Sequence, residues 1–182
     1  MNELETLLQR RVAELGAEFD QTFARPLPVG AEDLQSLLAI RVAGHPLALR
    51  LSELSGLEAR RRIVPLPGSL AELEGLAGLR GRLVSVFQLA SLLGCGPERA
   101  DWRWLVLARG EEVVAFAFGE VEGLLRVPRA ALHPTSGDDR AAALVDEHVQ
   151  LEGISRGVLR ISRVVAALRA RSGGNHLDRG EH

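Results

Sequence analysis

The sequence predicts a mainly β chain built of small barrels, not a parallel α/β sheet. Two observations carry this. From residue 36 onward, short apolar runs recur at intervals of about 8–12 residues between turn signals rich in Gly and Pro, the spacing of barrel and sandwich strands. Within that region, residues 75–94 (GLAGLRGRLVSVFQLASLLG) read as a glycine-punctuated turn, a buried strand and a short helix. Gly75, Gly78 and Gly81 permit turns and close backbone approach. Leu83, Val84, Val86, Phe87, Leu89, Leu92 and Leu93 follow as an apolar run broken only by small or polar residues.

In chain order, residues 3–23 carry apolar side chains at spacings of three and four, from Leu4 to Phe23. This is the stripe of an amphipathic helix. Asn2 and Glu5 form a capping-box-like pair. The Pro-rich linker Arg25–Gly30 ends the helix. Its stripe suits packing on the body of the chain or, alternatively, docking or self-association.

Leu38, Ile40 and Val42 then alternate with Ala39, Arg41 and Ala43, giving a half-buried strand. A turn at Gly44-His45 returns it through Leu47, Leu49 and Leu51. Pro65–Gly68 is a break, and a short helical piece follows around Ser69–Leu73. Beyond the polar loop Gly94–Asp101, Trp102–Arg109 and Val113–Phe118 form a hairpin to which Val121–Val127 adds a third strand. His133–Ala143 is a polar loop, and Val149–Ile154 and Val158–Ile161 are the last strands. Ser162 caps a final helix, Val164–Arg171, before the polar tail 172–182, expected to be disordered.

Composition excludes several function classes. At 182 residues and 46% hydrophobic, the chain fits one compact domain, or two small subdomains sharing a core. No apolar run reaches the length of a membrane span, and MNELETLLQRR does not resemble a signal peptide. Cys95 is alone, so no disulfide framework is expected. These features point to the cytosol. A net charge of −2 argues against nucleic acid as partner. All 22 basic residues are arginine, which removes the Walker A lysine, the kinase strand lysine and Schiff-base chemistry together.

The chemistry-bearing residues do not converge. The histidines at 45, 133, 148, 176 and 182 form no ligand motif, and neither Glu111-Glu112 nor Asp138-Asp139 sits in a catalytic context. Ser85, Ser91, Ser155 and Ser162 lack a nucleophile-elbow setting. The expectation is therefore no enzyme, no cofactor and no metal. Arg60-Arg61-Arg62 is the one basic cluster, either a solvated strand end or a contact for an acidic partner through bidentate carboxylate recognition.

Residues 75–94 resemble the signature of CheW-like domains, which runs roughly G-hydrophobic-x-N-L-R-G, a buried strand ending P-V-V-D-L, and a short helix closing in L-L-G. Gly75, Leu79-Arg80-Gly81, Leu89 and Leu92-Leu93-Gly94 match. The resemblance spans about residues 36–171. It takes in the hairpin 37–54 (LLAIRVAGHPLALRLSEL), the paired strands 104–128 (WLVLARGEEVVAFAFGEVEGLLRVP) and the closing strand and helix 157–170 (GVLRISRVVAALRA). It implies two five-stranded, SH3-like barrels sharing an apolar core in a domain over residues 35–171. The helix and linker would occupy 1–34, and the tail 172–182.

By the same resemblance, the chain would be a non-enzymatic adaptor. It would couple the cytoplasmic tip helices of chemoreceptors to the regulatory domain of a CheA-like histidine kinase. It would be cytoplasmic and recruited to the inner face of the membrane through receptor arrays. Arg80 would be a contact residue, with Leu54, Gly56, Leu57 and Gly75 flanking an inter-barrel groove and Trp104, Val121 and Leu124 supplying the second barrel's side. Several positions depart from the family pattern. Its asparagine before Leu-Arg-Gly is Gly78, its proline is Ser85, its aspartate is Gln88, and an acidic position of the second unit is Gly119. A divergent member with another or a single partner in motility or development stays open. So does a regulator binding a small ligand in the groove.

Overall fold

The computed structural model describes residues 33–66, 70–96, 102–110, 113–135 and 142–174. The helix expected over 3–23 lies outside the described residues. Among the described residues, twelve strands form two six-stranded sheets. The first sheet has the order β10-β11-β12-β2-β1-β9: β1 (Leu34–Val42), β2 (His45–Arg50), β9 (Glu120–Pro128), β10 (Leu132–Pro134), β11 (Val145–Leu151) and β12 (Ile154–Leu159). The second has the order β3-β7-β8-β6-β5-β4: β3 (Leu54–Ala59), β4 (Ile63–Val64), β5 (Leu73–Leu79), β6 (Arg82–Gln88), β7 (Trp104–Ala108) and β8 (Val114–Phe118). The short edge strands β4 and β10 add one rung to each expected five-stranded unit. Among the described residues two α-helices accompany the sheets, α1 (Leu89–Leu92) and α2 (Ile161–Gly174).

The middle of the chain thus builds one sheet, and the two flanks build the other. The turn Leu51–Glu53 carries the chain across after β2, and the step from β8 into β9 brings it back. This crossing corrects one expectation. Val121–Val127 does not extend the β7–β8 hairpin; β9 pairs antiparallel with β1, matching Leu38 to Leu124. Local alternation cannot reveal that partner, because it lies more than 80 residues away (Leu38 to Leu124).

Three hairpins turn on two residues, a non-glycine followed by glycine, both at positive φ: Ala43-Gly44 (46°, 82°), Arg80-Gly81 (49°, 75°) and Glu152-Gly153 (51°, 79°). This is the type I′ geometry that matches strand twist. The first two fall within a residue of the expected turns. The third splits the run Val149–Ile154, read from sequence as a single strand. Leu73, expected in a helical piece, begins β5. The last helix starts at Ile161, not Val164, and continues past Arg171 to Gly174.

Burial divides the apolar side chains among three clusters. One lies between the sheets, with Leu38, Ile40, Leu49, Leu54, Val106, Phe116, Phe118 and Leu159, closed by Val164 and Leu168 of α2. The second sheet holds its own core, with Leu79, Val84, Val86, Trp102, Leu105 and Leu107; the first holds Leu37, Val127, Val149 and Val158. β8 shows the logic most plainly. Val114, Phe116 and Phe118 face the inter-sheet core, while Ala115 and Ala117 face the second sheet's own core. All five are buried, as expected for a central strand covered on both faces.

Serving two cores demands changes of face along a strand, and β-bulges supply them. Register shifts leave Ser55, Glu74, Glu122 and Asp146 as extra residues in β3, β5, β9 and β11. All four are polar and find partners. The Ser55 hydroxyl donates to the Ala108 carbonyl at 3.0 Å, and Glu74 accepts from the Gln88 amide. Glu122 binds Arg41 and Arg156, and Asp146 binds Arg160 and Arg163. A polar extra residue turns outward or sideways while its apolar neighbours switch cores.

Candidate protein-docking site

The bulges in β3 and β9 turn extra apolar residues of both edge strands toward the core shared by the sheets. In a regular strand, residues three apart point to opposite faces. Leu54 and Leu57 nevertheless both pack on the inter-sheet core, with Ser55 inserted between them. Val121 and Leu124 do the same in β9, with Glu122 inserted. β3 and β9 are the edge strands of their sheets. Leu57, Trp104, Val121 and Leu124 are only partly buried and all pack against the one inter-sheet cluster. They are the expected residues that can both rest on the core and meet a partner.

Three expected groove residues take other roles. Leu54 is 0% exposed, so it anchors the core and has no surface to offer. Gly56 and Gly75 are buried and structural. A Cβ on Gly75 would lie 2.1 Å from the Val64 carbonyl oxygen, at a φ of 140°. A Cβ on Gly56 would meet the Arg80 guanidinium at 2.7 Å. Trp104 also sits elsewhere than expected. It belongs to β7, in the same sheet as Leu57, and only Val121 and Leu124 come from the other sheet.

Arg80 occupies the first position of its type I′ turn and lies across β3. Its Nε donates to Glu58 Oε1 at 2.9 Å, and its Nη1 donates to the Ser55 carbonyl at 3.3 Å. The absent side chain at Gly56 leaves room for this. Arg80 therefore pins the β5–β6 turn to the edge strand, yet its side chain stays 58% exposed. Glu58 also faces Arg61 at 3.5 Å.

Sequence reasoning missed the charges that hold the β9 bulge. Arg41 donates to Glu122 Oε1 from Nε at 3.1 Å and from Nη2 at 2.6 Å, and Arg156 donates to Oε2. Arg156 is 7% exposed, the one buried charged residue among those described. Partial burial pushes the Glu122 carboxyl's pKa up, but the hydrogen bonds and charges of Arg41 and Arg156 outweigh it and hold the pKa below the usual carboxylate value. These residues are distant in sequence, so no local motif announces them. Glu53 is a second such case. Its carboxylate accepts from the Ile161 backbone N–H at 2.6 Å and the Ser162 hydroxyl at 3.2 Å, capping α2 from the inter-sheet crossover.

The two-sheet topology with its shared core is matched by known proteins. The CheW-like domain family covers residues 36–169. The chain belongs to the CheW-like domain family. A curated relative, the chemotaxis protein CheW of Thermotoga maritima, is 25% identical over 138 residues, spanning 75% of this chain and 91% of the relative. The crystal structure of the scaffolding protein TtCheW from Thermoanaerobacter tengcongensis superposes with a TM-score of 0.66 at 13% identity, covering 75% of this chain and 91% of that one. As a CheW-like chain, it carries Gln88 where the family pattern has aspartate. The Gln88 amide donates to Glu74 and its oxygen accepts from the Ser91 hydroxyl at 3.0 Å, tying the end of β6 to the β5 bulge and to α1. No helix among the described residues is long and apolar enough to cross a membrane.

Proposed function

We propose that this CheW-like chain is a non-enzymatic adaptor that couples chemoreceptors to a CheA-like histidine kinase. The observation that carries the reading is the set of half-buried residues on the core shared by the sheets: Leu57 on edge strand β3, Trp104 on the adjoining β7, and Val121 and Leu124 on edge strand β9, with exposed Arg80 lying across β3. An apolar groove between packed elements receives the stripe of a partner helix, and Trp and Arg are residue types enriched in interface hot spots. A receptor tip helix occupies the groove, while one barrel docks on the similar barrel of the kinase. Receptor motion then biases kinase activity by favouring one arrangement of the assembly. The protein acts in the cytoplasm, held at the inner face of the membrane by its receptors.

The test is capture of the kinase regulatory domain and of a receptor cytoplasmic fragment in separate pull-downs. Wild-type protein is expected to bind both. Leu57→Asp and Arg80→Glu are expected to lose receptor binding while keeping a cooperative melt. Failure to capture either partner would overturn the proposal. Kinase capture without receptor would replace it with the single-partner reading, which Gln88 and Gly119 favour by departing from the family's acidic positions. A small-molecule regulator would instead show itself as a ligand that raises the melting temperature.

A further inference from the structure

The second sheet carries a cleft at its β4 end, where the chain leaves the edge strand β3. Arg60, Arg61, Arg62, Ile63, Glu74 and Trp102 line it, enclosing about 680 Å³. The Arg60 guanidinium lies over the Trp102 ring, 4.9 Å from its centroid, and Trp102 is 5% exposed. A buried indole thus fixes the first arginine in place. Glu74 accepts from the Gln88 amide, and Glu58 is shared by Arg61 and Arg80. Arg62 makes no ion pair among the described residues.

The cleft adjoins β4, which pairs only with β5 and ends the sheet among the described residues. Val64 on β4 is 59% exposed, and Leu83 on β6 is 77% exposed. Gly78 lies opposite Leu83 on the intervening strand, and nothing stands within 4 Å of where its Cβ would be. A two-residue edge strand unpaired on one side among the described residues, the exposed Val64 and Leu83, and three consecutive arginines, the first held over Trp102, therefore lie close together. Open strand edges are templates for strand addition. Arginine's planar fork suits bidentate pairing with carboxylates. A volume of this size exceeds what a single inorganic anion fills.

We propose that this cleft and the β4 edge dock an acidic, extended segment of a partner protein. The segment adds along β4 with its carboxylates against Arg60, Arg61 and Arg62 and its intervening apolar side chains over Val64 and Leu83. None of Leu57, Trp104, Val121 and Leu124 lines this surface, although Arg61 shares Glu58 with Arg80 and so borders the proposed adaptor groove.

The test uses the full chain and fluorescence anisotropy of a labelled short peptide alternating glutamate and valine, with a glutamine-for-glutamate peptide as comparison. The glutamate peptide is expected to bind at least about tenfold more tightly, with affinity falling as salt rises. Arg62→Glu is expected to weaken it by about tenfold or more with an unchanged melting temperature. Arg62→Lys should retain part of the affinity, and Leu124→Asp on β9 should leave it unaltered. Equal binding of both peptides, insensitivity to Arg62→Glu, or displacement by millimolar inorganic phosphate would overturn the proposal. Binding of anionic lipid vesicles in preference to the peptide would overturn it as well.

Discussion

Replacing Glu122 by glutamine removes the negative charge that both Arg41 and Arg156 share. Breaking a fully buried ion pair costs about 3–5 kcal/mol, because one charge is left without a partner. Here Arg156 is the deeply buried member, at 7% exposed, whereas the Glu122 side chain keeps 20% of its surface and water screens it. The expected loss is therefore smaller, about 1–2 kcal/mol at neutral pH. For a chain of 182 residues that corresponds to a fall of roughly 2–8 °C in melting temperature.

The loss should depend on pH with a definite sign. The folded-state pKa of Glu122 lies below its ordinary value of 4.5, so the unfolded chain takes up the proton first as pH falls. The carboxylate's contribution is fully present above that ordinary value and disappears as pH drops through the lowered one. Urea unfolding followed by far-UV circular dichroism at pH 7, 5 and 3 should show the gap between wild type and Glu122→Gln narrowing only at the acid end. A gap that stays constant from pH 7 to 3 would refute the argument. So would a gap that widens in acid.

Three further outcomes follow from the packing. Gly75→Ala forces a Cβ to within 2.1 Å of a backbone oxygen at φ 140°, so its melting temperature should fall sharply, with faster amide exchange in β4 and β5. Glu53→Ala removes the acceptor for the first N–H of α2 and should cost about 1–2 kcal/mol, with hydrogen exchange rising at Ile161 and Ser162 before other helix positions. Phe116→Ala empties the middle of the inter-sheet core, where Phe116 is 0% exposed. It should cost about 3–5 kcal/mol by denaturant titration.

Elements set by nearest neighbours were legible in the sequence. The turn at Arg80-Gly81, the first turn to within one residue (Gly44-His45 expected, Ala43-Gly44 found) and the strand-to-helix passage Arg82–Leu92 all follow from local glycines and apolar spacing. What escaped depends on residues far apart. β9 pairs with β1 because the chain crosses between sheets, and nothing near Val121 encodes that return. The bulges at Ser55, Glu74, Glu122 and Asp146 break the period-2 rule on which strand faces are assigned. Leu54 therefore looked as available as Leu57, although it is sealed in the core. The glycine triplet likewise does three separate jobs. Gly81 completes a turn, Gly75 admits the Val64 carbonyl, and Gly78 leaves open space; their even spacing carries no structural meaning.

The account rests on the half-buried residues over the core shared by the sheets being the gripping surface. Hydrogen exchange of the full chain, alone and mixed with a receptor cytoplasmic fragment, tests it most directly. Slowed exchange concentrated in β3 and β9, around Leu57, Val121 and Leu124, is the predicted footprint, and Leu124→Asp should erase it. Protection confined to other strands while these two remain unaltered would contradict the claim.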